Sequence, residues 1–309
     1  MADKKYNAAI IGGGTMGADI AAVFVAGGWF VHIVDPSEKI RKNFPARLSR
    51  TLEKLGNQKA VDSFSLHRTM GELPWDGVEM VVEAVSEDLH LKQRIFGELV
   101  SLSQSHIPLT SNSSGFPISQ IGEGLATQNR MLGLHFFMPA HLVPLVEVIS
   151  SKFTDRAIAD EVGAIMKRLG KRPVQVKRDI PGFLANRIQH ALMREALYLV
   201  EQDIASAEDV DVAVRYGFGF RYIAAGPLLQ KDLSGLDIQY SAAKIIYPDL
   251  CNASEPSLYL REKVENGHLG VKTGQGFYRW TKEKIATVNL HYEKILQAAI
   301  ELLKPERPE

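Results

Sequence analysis

The chain has 309 residues, with 36 Lys and Arg against 36 Asp and Glu, and a single cysteine. That length suggests two domains with sizeable cores, and the balanced charge offers nothing to draw the chain to nucleic acid or an anionic membrane. Cys251 alone excludes an intrachain disulfide and a cysteine-rich metal site, which fits a reducing, cytoplasmic compartment.

Met1-Ala-Asp-Lys-Lys leads directly into a strand pattern, so no signal peptide is read. The strand Ala8–Ile11 runs into Gly12, Gly14 and Gly17, and a helix pattern opens at once with Thr15 and Met16. A second strand, Phe30–Val34, ends in Asp35, eighteen residues after Gly17. This strand–turn–helix–strand unit is the cradle of a dinucleotide. Gly12 permits the tight turn, Gly14 lets the backbone approach a pyrophosphate, and Gly17 allows helix to pack on strand. The helix amino terminus offers free amides and a positive dipole end to the phosphates. Asp35 is placed to accept from a ribose 2′-hydroxyl and would repel a 2′-phosphate, so NAD is expected rather than NADP. FAD is the competing ligand, disfavoured because no second long flavin-type domain is seen. The apolar stretch Ala18–Val34 is short, holds Asp19 and His32, and is broken by Gly27-Gly28. It reads as helix then strand, not a membrane span.

Further candidate strands are Met80–Ala84, Pro108–Ser111, Met131–His135, Leu145–Ile149 and Val174–Val176, with helix patterns over Asp88–Ser103 and Thr154–Leu169. Alternating strands and helices imply an α/β fold, a Rossmann-type doubly wound, mostly parallel sheet. After Asp179-Ile-Pro181-Gly182 the strand patterns largely stop. Helices are expected over Phe183–Gln202, with Leu184, Ile188, Leu192, Ala196 and Leu199 on one face, and over Ser206–Tyr216, Leu236–Ile246, Ser257–Asn266 and Ile285–Leu303. Ser206 and Asp209 form a candidate cap. The expected organisation is a dinucleotide-binding domain at 1–180 and an all-α carboxy-terminal domain at 181–309, with a frayed tail from Pro305.

Polar residues interrupt the apolar strands in Thr110-Ser-Asn112-Ser-Ser114-Gly, Gly133-Leu-His135-Phe-Phe-Met-Pro139 and Leu145-Val-Glu147-Val-Ile. Two of these segments sit at strand ends, where open sheets gather ligands. His90, His106 and His141 read as surface or loop residues without metal-ligand spacing. The aromatic run Phe218–Tyr222 reads as packing.

With Pro181-Gly-Phe-Leu-Ala-Asn186-Arg and Gly270-Val-Lys272-Thr-Gly-Gln-Gly-Phe-Tyr278, these segments resemble the 3-hydroxyacyl-CoA dehydrogenase family over nearly the whole length. The resemblance implies that His135 takes the proton of a substrate 3-hydroxyl while a hydride leaves C3 for NAD. A histidine titrates in the right range for this. It implies that Glu147 orients the imidazole and that Ser114 and Asn186 hydrogen-bond the reacting oxygen. Glu87, Lys92, Ser114 and Lys272 are implied to contact the cofactor. The helical domain is implied to close the substrate cleft and form a homodimer. Each residue also has an ordinary alternative: a core histidine at 135, a backbone-satisfying amide at Asn186, a solvated helix lysine at Lys92.

Three departures bear on substrate. The family's His-Phe-Phe-Asn-Pro reads His135-Phe-Phe-Met138-Pro139, which removes an amide and leaves a flexible apolar side chain. In Leu52-Glu-Lys-Leu-Gly-Asn-Gln58, glutamine stands where the family carries a CoA-holding lysine, with Lys54 and Lys59 as possible substitutes. Gly217-Phe-Gly-Phe-Arg221-Tyr-Ile-Ala-Ala-Gly226-Pro227 resembles the lambda-crystallin/L-gulonate dehydrogenase and carnitine dehydrogenase branch. There a guanidinium can clamp the carboxylate of a small free acid; pairing of Arg221 with Asp232 is the alternative. The expectation is an NAD-dependent oxidoreductase acting on a 3-hydroxy acid or 3-hydroxyacyl-CoA, leaning to the free acid, and a partner of neither nucleic acid nor membrane. A non-enzymatic NAD-binding sensor or crystallin-like protein would predict a degraded catalytic set. A 6-phosphogluconate or imine reductase type would lack this Ser–His–Glu–Asn order.

Overall fold

The computed structural model describes residues 6–57 and 63–303. Gln58, Lys59 and the tail from Pro305 lie outside the described residues. The chain divides into two compact units, Met1–Arg187 and Ile188–Glu309.

The first unit is built on β1 (Asn7–Ile11), β2 (Phe30–Val34), β3 (Phe64–His67), β4 (Met80–Glu83), β5 (Leu109–Ser111), β6 (Met131–Phe136), β7 (Leu145–Ser150) and β8 (Arg172–Val176). They form one sheet in the order β3-β2-β1-β4-β5-β6-β7-β8. Every pairing is parallel except β6 with β7, which run antiparallel. Between strands lie α1 (Thr15–Ala26), α2 (Glu38–Lys54), α3 (Leu89–Leu102), the short α4 (Ile118–Ile121) and α5 (Arg156–Arg168).

Strand alternation sorts the core into two layers. Ala8, Ile10, Val31, Ile33, Met80 and Val82 pack with Phe24 of α1, Phe44 and Leu48 of α2 and Val162 of α5. Ala9, Ile11, Val81 and Leu109 pack with Phe96 and Leu99 of α3. Each fully buried large side chain here stabilises by roughly 1.5–3 kcal/mol. Local chemistry fixes the helix starts: Ser37, Asp88 and Asp155 cap α2, α3 and α5 through their side chains.

The structure corrects the sequence reading in several places. β3 was not expected; its Phe-Ser-Leu-His is short, half-buried and polar at alternate positions, so it lacks the apolar run of the central strands. Phe183 lies outside the long helix, at φ 50°, and α6 spans Ala185–Glu201. The expected apolar face of α6 is open over its first half: Leu184, Ile188 and Leu192 are exposed, Ala196 and Leu199 are half-buried, and the buried residue of the helix, Leu197, lies off that face. The expected helix from 206 ends at Ala213 as α7 (Ala207–Ala213), where a wider turn follows with Gly217 off helical geometry. Ser206 does cap α7, receiving the amide of Asp209 at 3.0 Å.

The second unit continues through α8 (Gly219–Arg221), α9 (Pro227–Ser234), α10 (Leu236–Ile246), α11 (Leu258–Glu265) and α12 (Lys282–Leu303). Phe218 and Tyr222 lie with ring centroids 5.6 Å apart at a tilt of 60°, but Tyr222 and Phe220 are exposed, as is Tyr216, so the aromatic run is only partly packed. Leu228, Leu233, Tyr240 and Ile245 on α9 and α10 are also exposed. No helix among the described residues is long and apolar enough to cross a membrane.

Candidate active site

The glycine turn is shaped by close approaches. Gly12 sits at φ 106°, and a Cβ there would meet the Ala84 carbonyl at 2.7 Å; a Cβ at Gly17 would lie 1.8 Å from the Gly12 carbonyl oxygen. Gly14 instead faces open space and begins α1 with no side-chain cap. The first amides of α1, at Thr15, Met16 and Gly17, are thus free of an intrahelical acceptor and suited to an anion. Asp35 is buried at the end of β2, receiving the Gly13 amide on Oδ2 and the Ser37 amide on Oδ1, both at 2.9 Å. These bonds fix the carboxylate and leave further acceptor sites on each oxygen. A cavity of about 510 Å³ lined by Gly12, Gly14, Val34, Asp35, Ile40, Met70 and Ile95 adjoins it. A slot lined by apolar side chains together with Asp35, Arg68 and Glu98, beside an open helix amino terminus, fits a dinucleotide.

A buried ionic network lies next to this turn. Lys92 of α3 is 1% exposed, and its Nζ donates to Glu83 Oε1 at 2.8 Å and lies 3.1 Å from Glu87 Oε2. It is therefore no solvated helix lysine. Glu83, fully buried at the end of β4, also accepts from Ser111 Oγ at 2.6 Å and the Val85 amide at 2.7 Å. Glu87 Oε1 receives Ser113 Oγ and the amides of Ser114 and Gly115, at 2.7, 2.8 and 3.0 Å. Burial pushes the Glu87 carboxyl up, but Ser113, the Lys92 ammonium and the Gly115 amide outweigh it and hold the group below its ordinary value. Glu87 and Lys92 thereby anchor the loop that carries Ser114.

The sequence reading missed Glu83, Ser111 and Ser113. A carboxylate closing the apolar run Met-Val-Val-Glu was the available signal, because burial of an unpaired acid is costly. The other polar residues of this region are also spent on structure: Thr110 donates to the Val81 carbonyl, and Asn112 Oδ1 accepts from the Phe136 amide.

The acid–base pair sits where β6 meets β7. The antiparallel register sets His135 opposite Glu147, and Nδ1 lies 2.8 Å from Oε2. Both side chains are buried. A carboxylate at Nδ1 demands a proton there, leaving the Nε2 lone pair free. Nε2 lies 3.0 Å from Ser114 Oγ. Glu147 Oε1 accepts two more bonds, from the amides of Leu184 at 3.1 Å and Ala185 at 2.7 Å. Burial pushes Glu147 up; the His135 bond and the Ala185 amide overcome this and keep it below its ordinary value. Phe137 and Phe183 flank the imidazole, with ring centroids 4.5 and 5.7 Å away.

Ser114, His135, Glu147, Glu87 and Lys92 are thus joined through one chain of contacts. Asn186 is half-buried in the first turn of α6, one residue after the amide that binds Glu147. Arg221 and Lys272 belong to the second unit: Arg221 ends α8, and Lys272 lies in the turn closed by the Gly270–Gln275 bridge. Arg221 makes no ion pair with Asp232 among the described residues. Met138 is 64% exposed beyond the end of β6. His141 is a loop residue as expected, yet its side chain is enclosed, with Nδ1 3.3 Å from Asp19. A second cavity of about 910 Å³ opens beside Gly13 and Gly14, lined by Lys39, Arg47, Arg50 and Lys54.

Residues 7–180 match the model of the 3-hydroxyacyl-CoA dehydrogenase NAD binding domain, and residues 182–280 that of the family's C-terminal domain. A 5-formyl-3-hydroxy-2-methylpyridine 4-carboxylate 5-dehydrogenase of Mesorhizobium japonicum is 30% identical over 304 residues, covering 96% of this chain and 98% of that protein. The mitochondrial hydroxyacyl-coenzyme A dehydrogenase of Homo sapiens is 34% identical over 291 residues, covering 88% of this chain and 90% of that protein. A crystal structure of the pyridine-carboxylate dehydrogenase, an NAD+ dependent dismutase, superposes with a TM-score of 0.91 at 30% identity, covering 97% of this chain and 99% of that one. FadB2 of M. tuberculosis gives 0.75 at 31% identity, covering 90% of this chain and all of that one (100%). The chain belongs to the 3-hydroxyacyl-CoA dehydrogenase family, as an NAD-dependent oxidoreductase that acts on a CH–OH group.

Proposed function

We infer that the protein interconverts a small free 3-hydroxy acid and its 3-oxo form. The observation that carries the chemistry is the buried His135–Glu147 pair with Nε2 turned to Ser114. His135 Nε2 takes the hydroxyl proton, and Glu147 stabilises the imidazolium that forms. Ser114 and Asn186 hold the reacting oxygen, and Asp35 and the α1 amides hold the dinucleotide. Glu87 and Lys92 set the Ser114 loop against the cofactor, and Lys272 contributes from the second unit. NAD, when bound, accepts the hydride. Residues 1–180 bind the cofactor; residues 181–309 close the substrate site and pair with a second copy, which the exposed apolar side chains of α9 and α10 support. The single cysteine supports a cytoplasmic setting.

The free acid is favoured by Met138 in place of a polar amide, by Arg221 as a carboxylate clamp, and by the high structural likeness to an enzyme named for a pyridine carboxylate. The cation-lined cavity of α2 supports a second reading, a short 3-hydroxyacyl-CoA. Purified enzyme assayed with free 3-hydroxy acids and NAD, and with acetoacetyl-CoA and NADH, separates them. The free-acid reading expects higher kcat/KM for an acid, a raised KM in Arg221→Lys, and no turnover but intact NADH binding in His135→Ala. Efficient acetoacetyl-CoA turnover with a silent Arg221→Lys would overturn it.

A further inference from the structure

Phe183 is the feature of the acid–base pair that the chemistry does not itself require. It adopts φ 50°, one of two non-glycine residues with positive φ among the described residues, and its side chain is 3% exposed. A left-handed conformation is uncommon for a bulky residue and persists where the surroundings fix it. Its neighbours show what fixes it here. Gly182, also left-handed at φ 73°, precedes it, and the Phe183 amide donates to the Ile180 carbonyl at 3.0 Å. The next two amides, Leu184 and Ala185, both point to Glu147 Oε1. The ring meanwhile lies 5.7 Å from the imidazole that Glu147 Oε2 engages.

We propose that Phe183 is a positioning residue, whose left-handed backbone aims two amides at one oxygen of Glu147 and so holds the other oxygen on His135 Nδ1. The carboxylate sits on a strand and reaches a base on the neighbouring strand. Without a second anchor its χ torsions would let Oε2 swing away from the imidazole. The two amides supply that anchor from the chain segment entering α6, and they also satisfy donors that a helix start would otherwise leave open. The ring lies tilted against the imidazole, 5.7 Å from its centroid, and fills space beside the pair.

This inference rests on His135 acting as the base, and the test separates the two claims. Phe183→Gly and Phe183→Ala both remove the ring and differ in how readily the backbone becomes left-handed. Full-length enzyme with NAD and its best hydroxy acid is measured for kcat and KM, and the low-field proton NMR signal of the Nδ1–H to carboxylate bond is recorded. Phe183→Gly should keep the signal, and its kcat should exceed that of Phe183→Ala by about tenfold, reflecting the left-handed penalty of an L residue. KM for NAD should stay unchanged in both. Phe183→Leu, which keeps an apolar side chain, serves where Phe183→Ala fails to fold; it too should fall below Phe183→Gly. Equal kcat and equal NMR signals in the glycine and alanine variants would overturn the backbone role. Retention of turnover in His135→Ala would instead remove the reading beneath it, whatever Phe183 does.

Discussion

Replacing Lys92 by methionine tests the buried network most directly. The ammonium is 1% exposed and contacts a fully buried Glu83 and the more open Glu87. Methionine fills most of the volume but leaves Glu83 with only Ser111 Oγ and the Val85 amide. Removing one partner of a buried pair costs about 3–5 kcal/mol. The two remaining donors argue for the lower end, about 3 kcal/mol, and Glu87, being 43% exposed at its side chain, adds less than about 1 kcal/mol. For a unit of this size that corresponds to a Tm lower by roughly 6–12 °C. The assay is thermal unfolding followed by tryptophan fluorescence in a Trp280→Phe background, so that Trp29 and Trp75 report the first unit alone. Adding Glu83→Gln to Lys92→Met removes the stranded charge and should recover most of the loss. A Lys92→Met shift under about 2 °C, or a double variant no more stable than the single, would refute the argument that an uncompensated buried carboxylate sets the cost.

Two further outcomes follow from the same structure. Glu147→Gln puts an amide donor against Nδ1–H and favours the wrong tautomer, so kcat should fall on the order of 10²–10⁴-fold with NADH binding retained. Because the wild-type carboxyl is held below 4.5, the stability it confers is present above that pH and lost as pH falls through the folded value; the variant should show a flatter acid limb in urea unfolding. His32, bonded to Ser65 across β2 and β3, is lowered from 6.5 to about 4 by burial and then by His67. The folded state stays neutral while the unfolded chain takes the proton, so up to about 3 kcal/mol of stability should be lost as pH falls from 6.5 to about 4. His32→Asn should abolish that slope in pH-dependent urea unfolding; an unchanged slope would sink the assignment.

Much of the first unit was legible because its central strands are continuous apolar runs punctuated by glycine. Phe30–Val34 agrees with the observed bounds to the residue, as does the helix Leu236–Ile246 in the second unit. The pairing of His135 with Glu147 is implied by the family resemblance, and burial of an acid in an apolar strand adds only that some partner is needed. Edge strand β3 was not, because a half-buried strand of four residues carries little periodicity. The left-handed Phe183 is not legible for a different reason: the two amides that follow it meet Glu147 and its ring meets His135, both distant in sequence, while local propensity favours carrying the helix through it. In sequence Glu83 reads as no more than a strand ending, although its burial is what makes Lys92 an interior cation rather than a surface one.

The antiparallel seam between β6 and β7 has a practical meaning for altering this enzyme. Main-chain hydrogen bonds along that seam make residues 135 and 147 cross-strand neighbours, so their spacing is inherited from the ladder. Exchanging other loops or helices for a different substrate would leave that spacing untouched, provided the segment 183–185 that holds Glu147 is kept. A single-residue insertion in either strand would throw the imidazole and the acid to opposite faces of the sheet and abolish proton transfer at a stroke.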